Sequence, residues 1–176
     1  NGAQVLVETG IVPGIHPGRV EVALAPNLAP RRQGYLCRWI WMRGIDGPGR
    51  AVFSSSLPLE EAVPLPIAHG EGRFITADPD VLARIEAEGL ALFRYVAADG
   101  SPAAGYPDDP NGAMLQMAGL TNRGGNVLAL MPHPERSTQL KHVPLDWPGA
   151  WGDRRRRAVG NWDALEGRGP GRFLFE

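Results

Sequence analysis

The stretch Asn126-Val127-Leu128-Ala129-Leu130-Met131-Pro132-His133-Pro134-Glu135-Arg136 decides the fold of this chain. Its first five residues follow Gly124-Gly125 and are mostly apolar, which predicts a short buried strand that begins after a turn. His133 then stands just past the carboxyl end of that strand, where open α/β sheets place ligands and catalytic groups. The stretch therefore favours an α/β fold with a functional histidine at one edge of its sheet.

Two prolines bracket His133 and restrict the backbone around it. Each proline fixes its own φ and biases the preceding residue toward an extended shape. Side chains at i and i+2 of an extended segment point the same way, so Glu135 is expected beside the His133 ring. The carboxylate would hold one ring nitrogen as N–H and leave the other as a base, as in the base half of a nucleophile–His–acid triad. A rigid surface turn with an incidental histidine is the alternative interpretation.

The sequence offers no obvious nucleophile for such a triad. Cys37 is the single cysteine, and it stands in a strand pattern without a glycine elbow around it. We interpret it as a small buried hydrophobic residue and not as the catalytic thiol. The first nine residues predict a helix that ends at Gly10. Asn1 cannot itself be an N-terminal nucleophile, because the amide of asparagine is not nucleophilic.

Two motifs, Pro132-His133-Pro134-Glu135-Arg136 and Ala68-His69-Gly70-Glu71-Gly72, carry a resemblance to the class I (triad) glutamine amidotransferases. Within that family the chain resembles the glutaminase subunit of phosphoribosylformylglycinamidine synthase. Asn1-Gly2-Ala3-Gln4 is similar to the residues that follow the cysteine in the family's Gly-x-Cys-x-Gly-x-Gln elbow. Further segments that match the family in the same order are residues 35–39, 109–112, 117–122 and 125–127.

The resemblance implies an active site for glutamine hydrolysis, and most of its catalytic and substrate-binding residues would come from this chain. The nucleophilic cysteine is expected immediately before Asn1, so the sequence is interpreted as a C-terminal fragment without the first strands and the glycine loop. His133 and Glu135 would complete the catalytic triad, and the backbone N–H of Asn1 would donate to the oxyanion. Gln4, His69 and Gly70 would bind the glutamine substrate. The alternative interpretation of Gln4 is a glutamine on a helix surface that bonds only to water. The alternative interpretation of His69 and Gly70 is a glycine turn with a structural histidine.

The resemblance also implies the fold. It is α/β: a three-layer, flavodoxin-like class I glutamine amidotransferase domain that spans residues 1–176 and is incomplete at its N-terminus. Its central sheet is expected to be mostly parallel, with helices on both faces. The local patterns predict strands at residues 34–43, 51–53, 65–68 and 90–97, helices at residues 1–9, 78–88 and 153–158, a loop with a helical turn at 57–61, and a terminal strand or tail at 172–175.

The function implied for the whole subunit is hydrolysis of glutamine to glutamate and ammonia in de novo purine biosynthesis. Ammonia would pass to a synthetase subunit that converts formylglycinamide ribonucleotide to its amidine, and a small accessory subunit would complete the complex. ATP and Mg are expected on the synthetase, because this chain has no Walker-type glycine loop and needs no cofactor of its own. The alternatives are an inactive amidotransferase-like scaffold and a cysteine peptidase or deglycase of related α/β architecture.

Composition restricts the class of protein. The chain has 176 residues, 43% of them hydrophobic, which is ordinary for one soluble globular domain. Its net charge of −1 argues against binding to nucleic acid or to an anionic membrane, and no apolar run approaches membrane-spanning length. A single cysteine fits a reducing compartment, so a cytoplasmic location is expected.

A metal centre is not expected from the sequence. His133 and Glu135 supply only two of the three or four ligands that zinc requires, and His69, His142 and Cys37 show no ligand spacing. The run Arg154-Arg155-Arg156-Arg157 is interpreted as a solvated helix face, with docking to an acidic partner surface left open.

Overall fold

The computed structural model describes residues 1–30, 34–45, 52–54 and 61–175, and these form helices and strands in mixed order. The mixture confirms the α/β class predicted from the sequence. The helices are α1 Gly2–Glu8, α2 Pro79–Ala87, α3 Gly149–Arg157 and α4 Trp162–Glu166, and the strands are β1 Ala23–Pro26, β2 Leu36–Gly44, β3 Val63–His69, β4 Glu71–Ile75, β5 Phe93–Val96, β6 Met117–Thr121 and β7 Leu128–Leu130. Short 3-10 helices cover Val52–Ser54, Met114–Gln116, Pro134–Ser137, Leu140–His142 and Pro170–Phe175.

Five strands form one sheet in the order β3-β2-β5-β6-β7, and every described pair in it is antiparallel. The expectation of a mostly parallel sheet is therefore wrong for the described strands. At β6 and β7 the physical reason is local, because residues 122–127 make a hairpin too short for the crossover that parallel strands need. The pairing of β2 with β5 joins segments that are far apart in the chain. The apolar pattern of each strand does not predict such a pairing.

The strands β3 and β4 follow one another with only Gly70 between them, yet they belong to different sheets. Strand β3 pairs with β2, whereas β4 pairs antiparallel with β1 in a second, two-stranded sheet. The Gly70 carbonyl at this junction accepts a hydrogen bond of 3.0 Å from the backbone N–H of Asn27, which follows β1. His69 is thus held at the corner where the two sheets meet.

The core is built from the inward positions of the strands. In β2, Leu36, Ile40 and Met42 are buried, whereas Cys37 on the opposite face is exposed. This alternation is the period of two expected for a strand that covers a core on one side. The largest fully buried side chains of the core include Tyr95, Phe74, Phe93, Met42 and Leu65.

Helix boundaries follow the capping chemistry. The Asp78 side chain accepts hydrogen bonds from the backbone N–H of Asp80 at 2.9 Å and of Val81 at 3.4 Å, as predicted for an N-cap with proline at the first helical position. Gly89 follows the helix with a φ of +66°, which glycine adopts without the steric penalty of a side chain.

Three segment predictions were wrong in type or extent. Val52–Ser54 is a 3-10 helix where a strand was predicted, and Pro170–Phe175 is a 3-10 helix where a terminal strand or tail was predicted. The predicted strand at 90–97 is limited to Phe93–Val96. The predicted loop and helical turn at 57–61 falls almost entirely outside the described residues. In the described ranges, no helix combines the length and apolar character needed to cross a bilayer.

Candidate active site

The backbone around His133 leaves the edge strand β7 and reaches the opposite edge strand of the five-stranded sheet, β3. Two residues before His133, Met131 donates a backbone hydrogen bond of 3.0 Å to Ala118 in β6. The His133 N–H then donates to the Pro66 carbonyl in the edge strand β3, at 2.8 Å. The segment from Met131 to His133 is therefore held by main-chain bonds to two strands, which fix the backbone that carries the His133 side chain.

His133 and Glu135 form the pair predicted from the sequence. The His133 Nδ1 and Glu135 Oε1 atoms are 2.7 Å apart. The His133 backbone has φ −107° and ψ 82°, close to the extended region but outside it, and Pro134 begins the 3-10 helix that carries Glu135. The carboxylate accepts only, so the neutral ring carries its proton on Nδ1 and leaves Nε2 as the base. The His133 side chain is 29% exposed, which leaves it accessible to a substrate.

His69 lies close to His133 but in a different environment. Its side chain is buried, with 7% of the residue exposed, and Nδ1 is 2.9 Å from Asn27 Oδ1. Burial, reinforced by the nearby His133, lowers the pKa of His69 from 6.5 to about 4. The site therefore combines an accessible histidine paired with a carboxylate and a buried histidine that is neutral at physiological pH.

The pKa of His69 predicts a pH-dependent contribution to stability. In the unfolded chain His69 takes up a proton near pH 6.5, whereas the folded state resists protonation down to about pH 4. The unfolded state binds more protons in this window, so stability falls as the pH drops through it. We expect wild type to lose about 2 kcal/mol more than His69→Gln between pH 7 and pH 5. Urea unfolding of both proteins at the two pH values measures this difference, and equal losses would contradict it.

Helix α1 positions two more of the predicted site residues, Asn1 at its N-cap and Gln4 within it. It packs against β7, the strand that leads to His133, and against β1. Gln4 lies half-buried on this helix, and its Nε2 donates to Glu8 Oε1 at 2.8 Å, one turn later. Asn1 is exposed at the N-cap, where its carbonyl accepts from the backbone N–H of Val5. Substrate binding by Gln4 and oxyanion binding by Asn1 stay predictions, as does the substrate contact predicted for Gly70.

Two asparagines that organise the site were missed by sequence reasoning. Asn27 is 6% exposed and holds His69. Asn111 is fully buried, and its side-chain N–H donates to the Gly72 carbonyl at 2.8 Å. Asn111 lies in the 109–112 segment, which was noted only as a match to the family and was given no role in the site. Asn27 gives no local signal, because its partner His69 is 42 residues away in the chain.

Cys37 is exposed on the outer face of β2, so its predicted burial was wrong. Its neighbour Leu36 takes the inward position, and alternation along the strand turns Cys37 outward. Its backbone pairs with Ala68, next to His69. Within the ranges that the structure describes, no hydrogen bond joins the Cys37 thiol to His133, so the base does not activate it.

This placement makes Cys37 dispensable for catalysis. Cys37→Ser is expected to leave the rate of the reaction that His133 serves within a few-fold of wild type, because serine is nearly isosteric and the site is exposed. A steady-state comparison of the variant with wild type measures this. A loss of several orders of magnitude would identify Cys37 as the nucleophile.

The arginine run of α3 is only partly a solvated face. Arg156 donates to the carbonyls of Leu145 at 2.7 Å and Trp147 at 3.0 Å, and Arg154 stacks over the Trp151 ring at 4.3 Å. Arg156 therefore ties α3 to the preceding loop, whereas Arg154 packs on a tryptophan of the same helix. Over the described part of the chain, no three His, Cys, Asp or Glu side chains converge as a metal site would require.

Comparison with known proteins identifies the family to which the chain is similar. The family model for the CobB/CobQ-like glutamine amidotransferase domain matches residues 1–165. Phosphoribosylformylglycinamidine synthase subunit PurQ of Methanothrix thermoacetophila is 34% identical, covering 100% of this chain and 63% of the relative. The subunit of the same name from Thermus thermophilus is 42% identical, covering 78% of this chain and 52% of the relative. The chain thus spans about half to 63% of the length of these curated relatives.

A solved structure shares the architecture. The structure titled PurLQS from Thermotoga maritima aligns with a TM-score of 0.54 and 26% sequence identity, covering 91% of this chain and 57% of the solved chain. The likeness supports an α/β glutamine amidotransferase fold, although the described strands pair antiparallel. The family model matches residues 1–165, most of the length of this chain. The chain therefore belongs to the CobB/CobQ-like glutamine amidotransferase family.

Proposed function

We propose that this chain is part of the glutaminase subunit of phosphoribosylformylglycinamidine synthase. The observation that carries the proposal is the contact of 2.7 Å between His133 Nδ1 and Glu135 Oε1. It lies just past the end of β7, where the Pro66 carbonyl accepts a hydrogen bond from the His133 N–H. A paired carboxylate keeps the opposite ring nitrogen available as a general base. Glutamine hydrolysis requires this group in both of its steps, each time to accept a proton from the attacking nucleophile and then to return one to the leaving group.

In the proposed reaction, a cysteine placed immediately before Asn1 gives its proton to His133 Nε2, and the thiolate attacks the carboxamide carbon of glutamine. The backbone N–H of Asn1 stabilises the oxyanion. His133 returns the proton to the amide nitrogen, the C–N bond breaks, and ammonia leaves behind a glutamyl thioester. Water then gives a proton to His133 and attacks the thioester, which releases glutamate and regenerates the thiol.

Ammonia is proposed to pass to a synthetase subunit that uses ATP and Mg to convert formylglycinamide ribonucleotide to its amidine. A small accessory subunit is proposed to complete the assembly. The relatives named PurQ and the solved assembly titled PurLQS support this choice of partner over other ammonia acceptors. The free Cys37 thiol supports a reducing compartment, and we place the reaction in the cytoplasm.

The proposal is tested by following nitrogen from substrate to product. The full-length protein is combined with the synthetase subunit, ATP, formylglycinamide ribonucleotide and glutamine labelled at its amide nitrogen. The label is expected in the amidine, with one glutamate formed for each amidine. Glutamine labelled at the α-amino nitrogen is the control and should leave the amidine unlabelled. Absence of glutamine consumption would contradict the proposal and favour the inactive scaffold.

A further inference from the structure

Two arginines stand directly opposite one another on adjacent strands of the five-stranded sheet. Arg43 of β2 and Arg94 of β5 are register partners in the antiparallel β2–β5 pair, so their side chains lie on the same face. It is the face away from the core, because the neighbouring residues Met42 and Phe93 are fully buried on the other side. Like charges directly opposite each other destabilise a sheet. The pair therefore lowers stability unless a negative group lies between the two side chains.

The described residues supply only a weak counter-charge to this pair. Glu86 Oε1 lies 3.9 Å from Arg94 Nη2, and the Glu86 side chain is 60% exposed. A long and exposed ion pair of this kind contributes little. Within the described ranges, the Arg43 side chain has no hydrogen-bond or ion-pair partner, and the Arg94 Nε–H is buried without an acceptor. A buried donor without an acceptor is rare in folded proteins, so the Arg94 Nε–H is available to a group that arrives from outside.

Both arginines line a cavity of about 110 Å³, which also has Gln116 in its wall. The two arginines are the only charged residues among those that line it, within the part of the chain that the structure describes. A cavity of about 150 Å³ accepts benzene, so this one is of the size for a tetrahedral oxyanion. Pro102 in the same wall is exposed, which places the cavity within reach of a dissolved ion.

The backbone beside the cavity is irregular at two places. Leu115 and Gln116 each have a φ of +53°, which residues other than glycine rarely adopt. The register between β5 and β6 also shifts, between Phe93 and Arg94. Strained residues and register shifts are concentrated near functional sites, where they direct a side chain. Here they occur at Gln116 and Arg94, two residues of the cavity wall.

We propose that Arg43, Arg94 and Gln116 bind a phosphate group, either as the free ion or as a phosphate monoester. Two guanidinium groups match the charge of about −1.5 to −2 that a phosphate monoester carries at pH 7. Guanidinium groups bind phosphate oxygens through paired hydrogen bonds, and the Gln116 amide supplies a further donor. The bound anion removes the repulsion between the arginines and gives the Arg94 Nε–H its acceptor. The site shares no residue with the pair of His133 and Glu135, so the proposal does not depend on the glutaminase function.

Binding is tested by nitrogen–proton NMR of the arginine Nε–H groups in the full-length protein at constant ionic strength. The Arg94 signal is assigned by its loss in Arg94→Lys. Inorganic phosphate should shift this signal in a saturable titration, whereas chloride and acetate should leave it in place. No shift with phosphate or with ribose 5-phosphate would overturn the proposal. An equal shift with chloride or acetate would show an adventitious ion only and would overturn it as well.

The same titration distinguishes the two sources of the phosphate group. A comparable shift with ribose 5-phosphate would support a site for monoesters. A shift with inorganic phosphate alone would support a site for the free ion.

The variant Arg43→Gln separates an anion site from a structural role of the arginine pair. Removing one of the two opposed charges should raise the unfolding midpoint Tm in phosphate-free buffer. The same change should weaken phosphate binding roughly ten- to a hundredfold in titration calorimetry, the effect of losing a hydrogen bond to a charged group. Arg157→Gln, an exposed replacement of the same type in α3, should change neither quantity. Unchanged phosphate affinity in folded Arg43→Gln would overturn the proposal, and the wild-type NMR titration decides it if that variant does not fold.

Discussion

Replacing His133 by alanine is expected to lower the rate of glutamine hydrolysis by about 10²–10⁴, the range typical for loss of a general acid–base group. The loss should appear in kcat, because the proton shuttle acts on the reacting atoms and not on substrate binding. The assay is steady-state release of glutamate by the full-length protein. The fold should survive the change, because the main-chain bond from His133 to Pro66 does not involve the imidazole.

A second histidine provides the matched control for this prediction. His142 is exposed, and its Nδ1 accepts only a long local hydrogen bond of 3.4 Å from the Gln139 N–H. His142→Ala should therefore retain the wild-type rate within a few-fold. If the two alanine variants lost activity equally, the effect would not report on the catalytic pair.

Replacing Glu135 by glutamine is expected to have the second-largest effect, a loss of roughly ten- to a hundredfold in kcat. Glutamine keeps the size of the side chain but removes the negative charge 2.7 Å from His133 Nδ1, which stabilises the imidazolium during proton transfer. A hydrogen bond to a charged group is worth about 1.5–3 kcal/mol, which sets this range. The effect is smaller than that of His133→Ala because the ring remains able to move the proton.

Glu166→Gln is the control for the charge change. Glu166 forms an exposed ion pair with Lys141 at 3.2 Å, and exposed pairs contribute little to stability. The Glu166→Gln substitution should therefore leave the rate of glutamine hydrolysis unchanged. An equal rate in Glu135→Gln and wild type would show that Glu135 does not assist His133.

The parts of the site that sequence reasoning predicted correctly are local in the chain. The contact between His133 and Glu135 follows from two prolines and a spacing of two residues, and the α2 N-cap follows from Asp78 and Pro79. Each is determined by backbone restrictions within a few positions. The short strand predicted after Gly124-Gly125 is likewise local, and it is observed as β7, Leu128–Leu130, which leads to His133.

The parts that the sequence did not predict join segments far apart. Asn27 and His69 are separated by 42 positions, and His133 reaches Pro66 across the sheet. The antiparallel order of the strands likewise arises from tertiary pairing and not from the apolar pattern of any one strand. Cys37 was assigned to a strand correctly, but its inward or outward direction depends on which face of β2 meets the core.

The central claim is that His133 serves ammonia release and not the synthetase reaction, and one measurement tests it most directly. Amidine formation by the complex containing His133→Ala is compared with wild type, once with glutamine and once with ammonium salt as the nitrogen source. The glutamine-driven rate should fall by about 10²–10⁴, while the ammonium-driven rate should equal that of wild type. If the ammonium-driven rate fell as far as the glutamine-driven rate, the role of His133 would be structural, and its catalytic pairing with Glu135 would be contradicted.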